Sequence, residues 1–524
     1  MGVHHRNFRK IVSGWRTGVA CSMAALMGVL AVGAERASAQ EIKENWVTVV
    51  LQSEPETLDP CMASRSVIGT VIFDNVLETL VTLNYETGEL MPQLATSWEQ
   101  VDPRTWRFKL REGITFHDGA PFNAEAAIKA MNRSANPNLA CGSWLSAFND
   151  LKITARAIDE YTLELQSDEP EPIMATRMVA VAMYSPNTPE DQLVLNPVGT
   201  GPYIFQNYAP GQEVTMTRND AYWGDEPEVE GARFVFRKES AVRAAMVKNG
   251  EADIAPQINQ QDAGDPELDH PYPVADVSYF RIDTFKAPLD DLRVRLAMNY
   301  AIDRAAMIGT LVPEGTRNAT QLVLPLIPGH NYELEKNVRE FDPEKARQLI
   351  AEAKADGVPV DRQIEMISFP DSFPGAGDIS EAVFEMLRNV GFNLRVVSLE
   401  QGASAATLNR PFKEDREPNI VLSKHDNTRG DPVFSLYLKY GCEGRQSAVC
   451  DPRVDAAMAA ATETPAGPER VAKWQSALAL LYNDVVPEVW LFNMVGTARI
   501  SNRIDFEPNI SSSTRLPIAK MTFN

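Results

Sequence analysis

Between residues 105 and 131 the chain reads TWRFKLREGITFHDGAPFNAEAAIKAM, and this stretch leaves few folds open. Trp106, Phe108 and Leu110 alternate with Arg107 and Lys109, the period of a strand with one face on a core. Glu112 and Gly113 interrupt the run and residues 114–116 resume it, which predicts a bulge or a bent strand pair. Residues 117–121, HDGAP, form a turn by composition, because Gly tolerates positive φ and Pro fixes its own. Asn123 is placed to N-cap a helix opening at Ala124, with Glu125 in the first turn facing unpaired amides. Strand, tight turn and capped helix make the unit α/β.

The same alternation of periods continues along the chain. Residues 46–51, WVTVVL, read as a first strand, and residues 67–80 have helical spacing through Ile68, Val71, Ile72 and Val76. Residues 151–165 give two more strands. Residues 197–203, PVGTGPY, are rich in residues that permit unusual φ, so they predict a constrained loop where the chain returns from an inserted segment. As a phosphate cradle the loop fails, since no Lys or Ser/Thr follows at the required spacing. Strands follow at 213–218 and 231–237, a helix at 242–249, a strand at 278–284 and a long amphipathic segment at 289–307. The clearest helix is capped by Asp342, has Pro343 at its first position, carries a stripe of Ala346, Leu349, Ile350 and Ala353, and stops at Gly357. Strands at 364–368 and 393–397 flank another helical stripe through Ile379, Val383 and Leu387, the order of a parallel crossover. Helices at 454–460 and 468–482 precede a strand at 489–495. Two crossings between halves imply two hinge strands.

The first 39 residues read as an export signal: a basic start, an apolar run over residues 18–33 and Ala37-Ser38-Ala39 as a small-residue cleavage site. Removing them takes away five Lys/Arg and one Glu, which moves the formal charge from −21 to −25. A surface so acidic repels nucleic acid and anionic lipid. Roughly 485 remaining residues exceed one core, so two or three lobes are expected. Four cysteines remain, Cys61, Cys141, Cys442 and Cys450, an even count that favours disulfides in an oxidising compartment. Cys442 and Cys450 bracket a short loop and form the natural pair, leaving Cys61 to pair with Cys141. No CxxC or HxxxH spacing accompanies them, so no metal site is expected.

Residues 111–131 closely resemble the signature of the large extracytoplasmic solute-binding proteins, family 5, that serve ABC importers for peptides, nickel, opines and related solutes. The segments EPETLDP (54–60), NPVGTGPYIF (196–205), RNDAYWG (218–224), KNGEADI (248–254) and APLDDLRVRLAMNYAIDR (287–304) resemble the family in its order. The resemblance implies a two-lobed periplasmic binding protein type II fold with an extra inserted α/β subdomain and hinge-connected lobes. It divides the chain into a signal (1–39), a lobe I core (40–75, 196–284 and 490–524), an inserted subdomain (76–195) and lobe II (285–489). It implies a periplasmic location, a monomer, and delivery of a small peptide or peptide-like ligand to an inner-membrane ABC permease with cytoplasmic ATPase subunits.

Residues 421–432, VLSKHDNTRGDP, are the candidate ligand floor, because they leave a buried strand carrying five ionisable side chains, a costly arrangement unless these find partners. In peptide-binding relatives a carboxylate just before a Gly-Asp-Pro turn accepts the ligand's α-amino group. Here Gly430, Asp431 and Pro432 match the turn, position 428 is Thr, and the nearest upstream carboxylate is Asp426. The loop that carries a carboxylate-binding Arg in dipeptide-binding relatives reads FPDSFP here (369–374), which leaves Arg281 or Arg429 to supply the cation. Trp144, Trp490 and Phe434 are candidate walls. His425 beside Asp426 could serve as a base or as a ligand to a nickel complex; the alternatives to a peptide are a non-peptide solute, whether an opine, a sugar conjugate or a nickel complex, and a periplasmic hydrolase. No GxSxG or HExxH pattern occurs, so no catalytic residue or cofactor is expected.

Overall fold

The computed structural model describes residues 43–63, 66–148, 151–512 and 514–524, and the export signal expected over residues 1–39 lies outside them. Strand β1 (Trp46–Leu51) is buried at every position but Trp46, the pattern of a parallel strand covered on both faces. Helix α1 (Ser66–Ile72) follows. The apolar spacing to Leu80 predicted a longer helix. It stops because Asp74 takes a left-handed φ of 60° and the Asn75 amide donates to Val71 O and, across the fold, to Leu516 O. The chain then turns into a short strand, Glu78–Thr79.

The inserted stretch is a four-stranded antiparallel sheet: β2 (Ala95–Asp102), β3 (Thr105–Leu110), β4 (Ile153–Asp159) and β5 (Thr162–Ser167), in the order β2-β3-β5-β4. Phe108 and Leu110 point into its core as the alternation predicts, while Trp106 is half-buried and donates its indole N–H to Glu171 O at 2.7 Å. Helix α2 (Ala124–Ser134) is capped by Asn123, whose side chain accepts from Ala126 N.

The main sheet has eleven strands. Its first half contains β6 (Tyr203–Ala209), β7 (Glu213–Arg218), β8 (Gly231–Phe236), β1 and β9 (Ile254–Ala255). Strand β10 (Asp269–Ile282) opens the second half, where α3 (Leu292–Tyr300), α4 (Pro343–Ala355), β11 (Ile364–Ser368), α5 (Ala376–Asn389), β12 (Leu394–Ser398) and β13 (Asn419–Asp426) follow. The amphipathic segment 289–307 is broken after α3, and Asp303 recaps a second helix, Arg304–Met307. Helices α6 (Val433–Tyr440), α7 (Pro452–Thr462) and α8 (Pro468–Leu480) precede β14 (Glu488–Ile500). The main path reads β6-β7-β8-β1-β9-β14-β10-β13-β11-β12, so β10 and β14 are the two long strands on which the halves meet. Both are antiparallel partners from Asp269 paired with Arg499 to Arg281 paired with Glu488.

Period-two alternation sends the second half of the sheet into two cores. Phe280, Ile282, Leu422, Val489 and Leu491 pack under α3, α4 and α5 on one face. Val277, Tyr279 and Trp490 pack under α6, α7 and α8 on the other. The first half and the inserted sheet share one further core.

The motifs that carry the family resemblance are braces within these cores. Asp59 forms a buried pair with Arg133 at 2.7 Å, and Asp253 accepts from Thr48 N at 2.7 Å and Arg503 at 2.8 Å. Glu78 accepts from Thr200 Oγ1, Tyr222 Oη and Trp223 Nε1, which joins the loop at 197–203 to RNDAYWG. In that loop neither Gly199 nor Gly201 has a left-handed φ. A Cβ on Gly199 would lie 1.9 Å from Val76 O, and one on Gly201 would lie 2.4 Å from Asn75 O. The glycines are there for close approach of two backbones, not for the unusual φ expected. Disulfides join Cys61 to Cys141 and Cys442 to Cys450.

Candidate ligand-binding site

A cleft runs along β10 and β14 where the halves face each other. Its larger chamber, about 560 Å³, is lined by Gln257 and Ile258 from the first half, Asp276 and Ser278 from β10, Phe373 from the loop after β11, and Phe492 from β14. A second chamber of about 350 Å³ lies between Phe73, Val179 and Arg515 on one side and Asp426, Thr428 and Arg429 on the other. Asp276 of the first chamber and Asp426 of the second are register partners on neighbouring antiparallel strands. Such partners project to the same face with Cβ atoms about 5 Å apart, so the chambers adjoin at two carboxylates.

Of the candidate residues, the fold brings Asp426 and Arg429 together here. Both Asp426 oxygens are occupied, accepting from Thr428 N at 2.8 Å and Thr428 Oγ1 at 2.9 Å. Burial pushes its carboxyl above the usual range, and the charge of Asp276 pushes the same way while Arg429 opposes both. The Arg429 guanidinium donates to none of the described residues, although Asp426 faces it, and burial lowers its pKa. It lines the second chamber together with Arg515.

The other three candidates lie elsewhere. Asp431 is buried, accepts from Val433 N at 2.9 Å at the start of α6, and pairs with Arg470 at 3.1 Å. Burial raises its pKa and Arg470 opposes the rise. Its carboxylate braces the loop. His425 is buried with Nε2 against Ser435 Oγ, and burial holds its pKa well below the ordinary value, with Lys439 and Arg429 adding to the effect. Arg281 sits on the far face of β10, where it donates to Leu408 O at 2.9 Å and stacks over Phe412. The reason is parity: Asp276 and Ser278 share a face of the strand, while Val277, Tyr279 and Arg281 share the opposite one. The aromatic candidates are core residues. Trp144 packs on Phe148, and Trp490 and Phe434 belong to the cluster under α6 and α8. Phe73, Phe373 and Phe492 supply the rings instead.

Two charged residues were missed by sequence reading. Arg515, from the C-terminal segment, donates to Val179 O at 2.9 Å and lies 3.4 Å from Asp74. Asp276 lies on a strand that opens at Asp269, nine residues before the expected start at Ser278, although an acid within the apolar run 274–282 was a usable signal. Its Oδ2 accepts from Lys424 Nζ at 2.7 Å. In the loop 369–374, Asp371 pairs at 3.1 Å with Lys238 of the first half, so the cation at this edge of the cleft comes from the opposite side.

Among the described residues no group of three or more His, Cys, Asp or Glu is placed to hold a metal ion, and no helix is long and apolar enough to cross a membrane. What the residues make is a cleft that binds, with opposed charges at its floor.

The family model of bacterial extracellular solute-binding proteins, family 5 Middle, matches residues 89–447. The chain belongs to that family, whose members are binding proteins, and it has the family's two-lobed, hinge-connected α/β fold. It is 27% identical over 430 residues to the dipeptide-binding protein of Escherichia coli K12, covering 75% of this chain and 79% of that one. It is 26% identical over 367 residues to the nickel-binding periplasmic protein of the same organism, covering 63% of this chain and 66% of that one. The crystal structure of the dipeptide-binding protein from Pseudoalteromonas sp. SM9913 in complex with Met-Leu superposes with a TM-score of 0.78 at 20% identity, covering 91% of this chain and all of that one.

Proposed function

We propose that the protein is the periplasmic substrate-binding component of an ABC import system, and that it captures a peptide or peptide-like solute between its lobes and delivers it to a membrane permease without transforming it. The observation that carries this reading is the cleft floor: a guanidinium, Arg429, that donates to none of the described residues, beside the carboxylates of Asp426 and Asp276, between halves joined by two long strands. A zwitterion with an apolar body fits such a floor. Arg429 would take the carboxylate, since guanidinium binds carboxylate in a bidentate fork. Asp426, each of whose oxygens already accepts one bond from Thr428, would serve as a secondary acceptor for an ammonium group. The lobe boundaries given above, the export signal and the permease belong to this proposal.

Likeness to a nickel-binding protein supports a second reading, a metal complex. Against it stands His425, buried on Ser435 rather than lining the cleft. Calorimetric titration of the mature protein with Met-Leu and with nickel(II)–histidine separates the two. The proposal expects micromolar binding of the dipeptide, equivalent to about −8 kcal/mol, with the peptide recovered intact. Binding of the nickel complex alone would replace it.

A further inference from the structure

We propose that Asp276 is the anchor for the ligand's ammonium group, and that the larger chamber beside it takes the apolar side chain of the ligand's first residue. This rests on the peptide reading above. Asp276 is only 2% exposed, and its Oδ1 is buried with no hydrogen-bond partner among the described residues. The side chain lines the larger chamber, and its other oxygen is held by Lys424 at 2.7 Å. Thr316 Oγ1, lining the same chamber, is also buried without a partner. A buried carboxylate oxygen left unpaired is unfavourable unless a donor completes it.

Among the described residues the neighbouring carboxylates each accept at both oxygens, while Asp276 Oδ1 accepts from none. Asp426 gives both oxygens to Thr428, and Asp431 is shared between Arg470 and the start of α6. Lys424 fixes Oδ2 and leaves Oδ1 as the acceptor an incoming N–H can reach. Around it Ile258, Leu311, Val312, Phe373, Ile379 and Phe492 form apolar walls. One charge-assisted acceptor at the edge of an apolar chamber is matched by a primary ammonium next to an apolar side chain.

The test is calorimetric titration of the mature protein with Met-Leu, N-acetyl-Met-Leu and hexylammonium, wild type beside Asp276→Asn. Acetylation and Asp276→Asn are each expected to weaken Met-Leu by about 10- to 100-fold, the range of one charge-assisted hydrogen bond. Unchanged Met-Leu affinity in Asp276→Asn overturns the anchor and leaves the peptide reading standing. Binding of hexylammonium but not Met-Leu, lost in Asp276→Asn, overturns the peptide reading and keeps the anchor. Failure of both amines to bind wild type overturns the anchor. Should Asp276→Asn not fold, Lys424→Gln decides: removing the cation from Oδ2 is expected to tighten Met-Leu by about threefold or more, and an unchanged affinity overturns the proposal.

Discussion

Asp431 illustrates how far one side chain can be read without its partners. The Gly-Asp-Pro turn drew attention to it as a ligand group, yet Arg470, 39 positions on, completes it as a buried ion pair. No local pattern announces a partner at that distance. Removing one member of a buried pair strands the other, so Asp431→Asn is expected to lower stability by about 3 kcal/mol. In urea unfolding that appears as a lower midpoint, while the Met-Leu affinity of the folded chain stays within threefold; a tenfold loss of affinity would return Asp431 to the ligand site. Arg281 lies away from the two chambers for a different reason. Its strand was legible, but the face it occupies depends on which residues of that strand reach the cleft.

Glu78 carries the pH dependence. Burial raises its pKa from the ordinary 4.5 to about 7, against the bonds from Trp223, Thr200 and Tyr222 that favour the carboxylate. The folded chain therefore holds a proton between about pH 4.5 and pH 7 that the unfolded chain has released, so this stabilisation is full below that window and is lost as pH rises through 7. The loss is on the order of 3 kcal/mol. Glu78→Gln is expected to flatten the fall in melting temperature between pH 5 and pH 8, and an unaltered slope would place the titration elsewhere.

Elements with local causes were legible. The Asn123 and Asp342 caps, the alternation of β3, and the parallel pair β11 and β12 around α5 all appear as the residues predict. Where tertiary contact overrides local pattern the elements depart from it: α1 stops at Ile72, short of the helical spacing that runs to Leu80, and the amphipathic segment 289–307 holds two helices. The loop at 197–203 was recognised as constrained, but its glycines were assigned the wrong reason. Gly199→Ala should destabilise by about 2 kcal/mol or more, because the carbonyl of Val76 has to move. Gly113→Ala, with a φ of +76° and open space around it, should cost about 1 kcal/mol. Thermal melts of the two variants give the order, and the reverse order would show that the close approach at Gly199 costs less than the left-handed φ at Gly113.

At the scale of the whole molecule, the two-lobed plan was legible because motifs spread along most of the chain keep the order of one family, and the sheet path through β10 and β14 gives that plan its hinge. The ligand was not legible, since the two chambers are lined from segments as far apart as Phe73, Asp276, Arg429 and Arg515. The disulfides differ in reach. Cys61–Cys141 spans 80 positions and Cys442–Cys450 spans 8, so loop entropy makes the first worth about 2 kcal/mol more. Replacing each pair by serines and unfolding in urea should show that difference, and equal losses would contradict it.

Native mass spectrometry of the mature protein, purified without added ligand and followed by fragmentation of whatever stays bound, tests most directly that this cleft carries peptides. The account predicts short peptides with free amino termini, lost when Asp276 is replaced by Asn. A single bound mass that fragments as a non-peptide, or as a nickel complex, would contradict it.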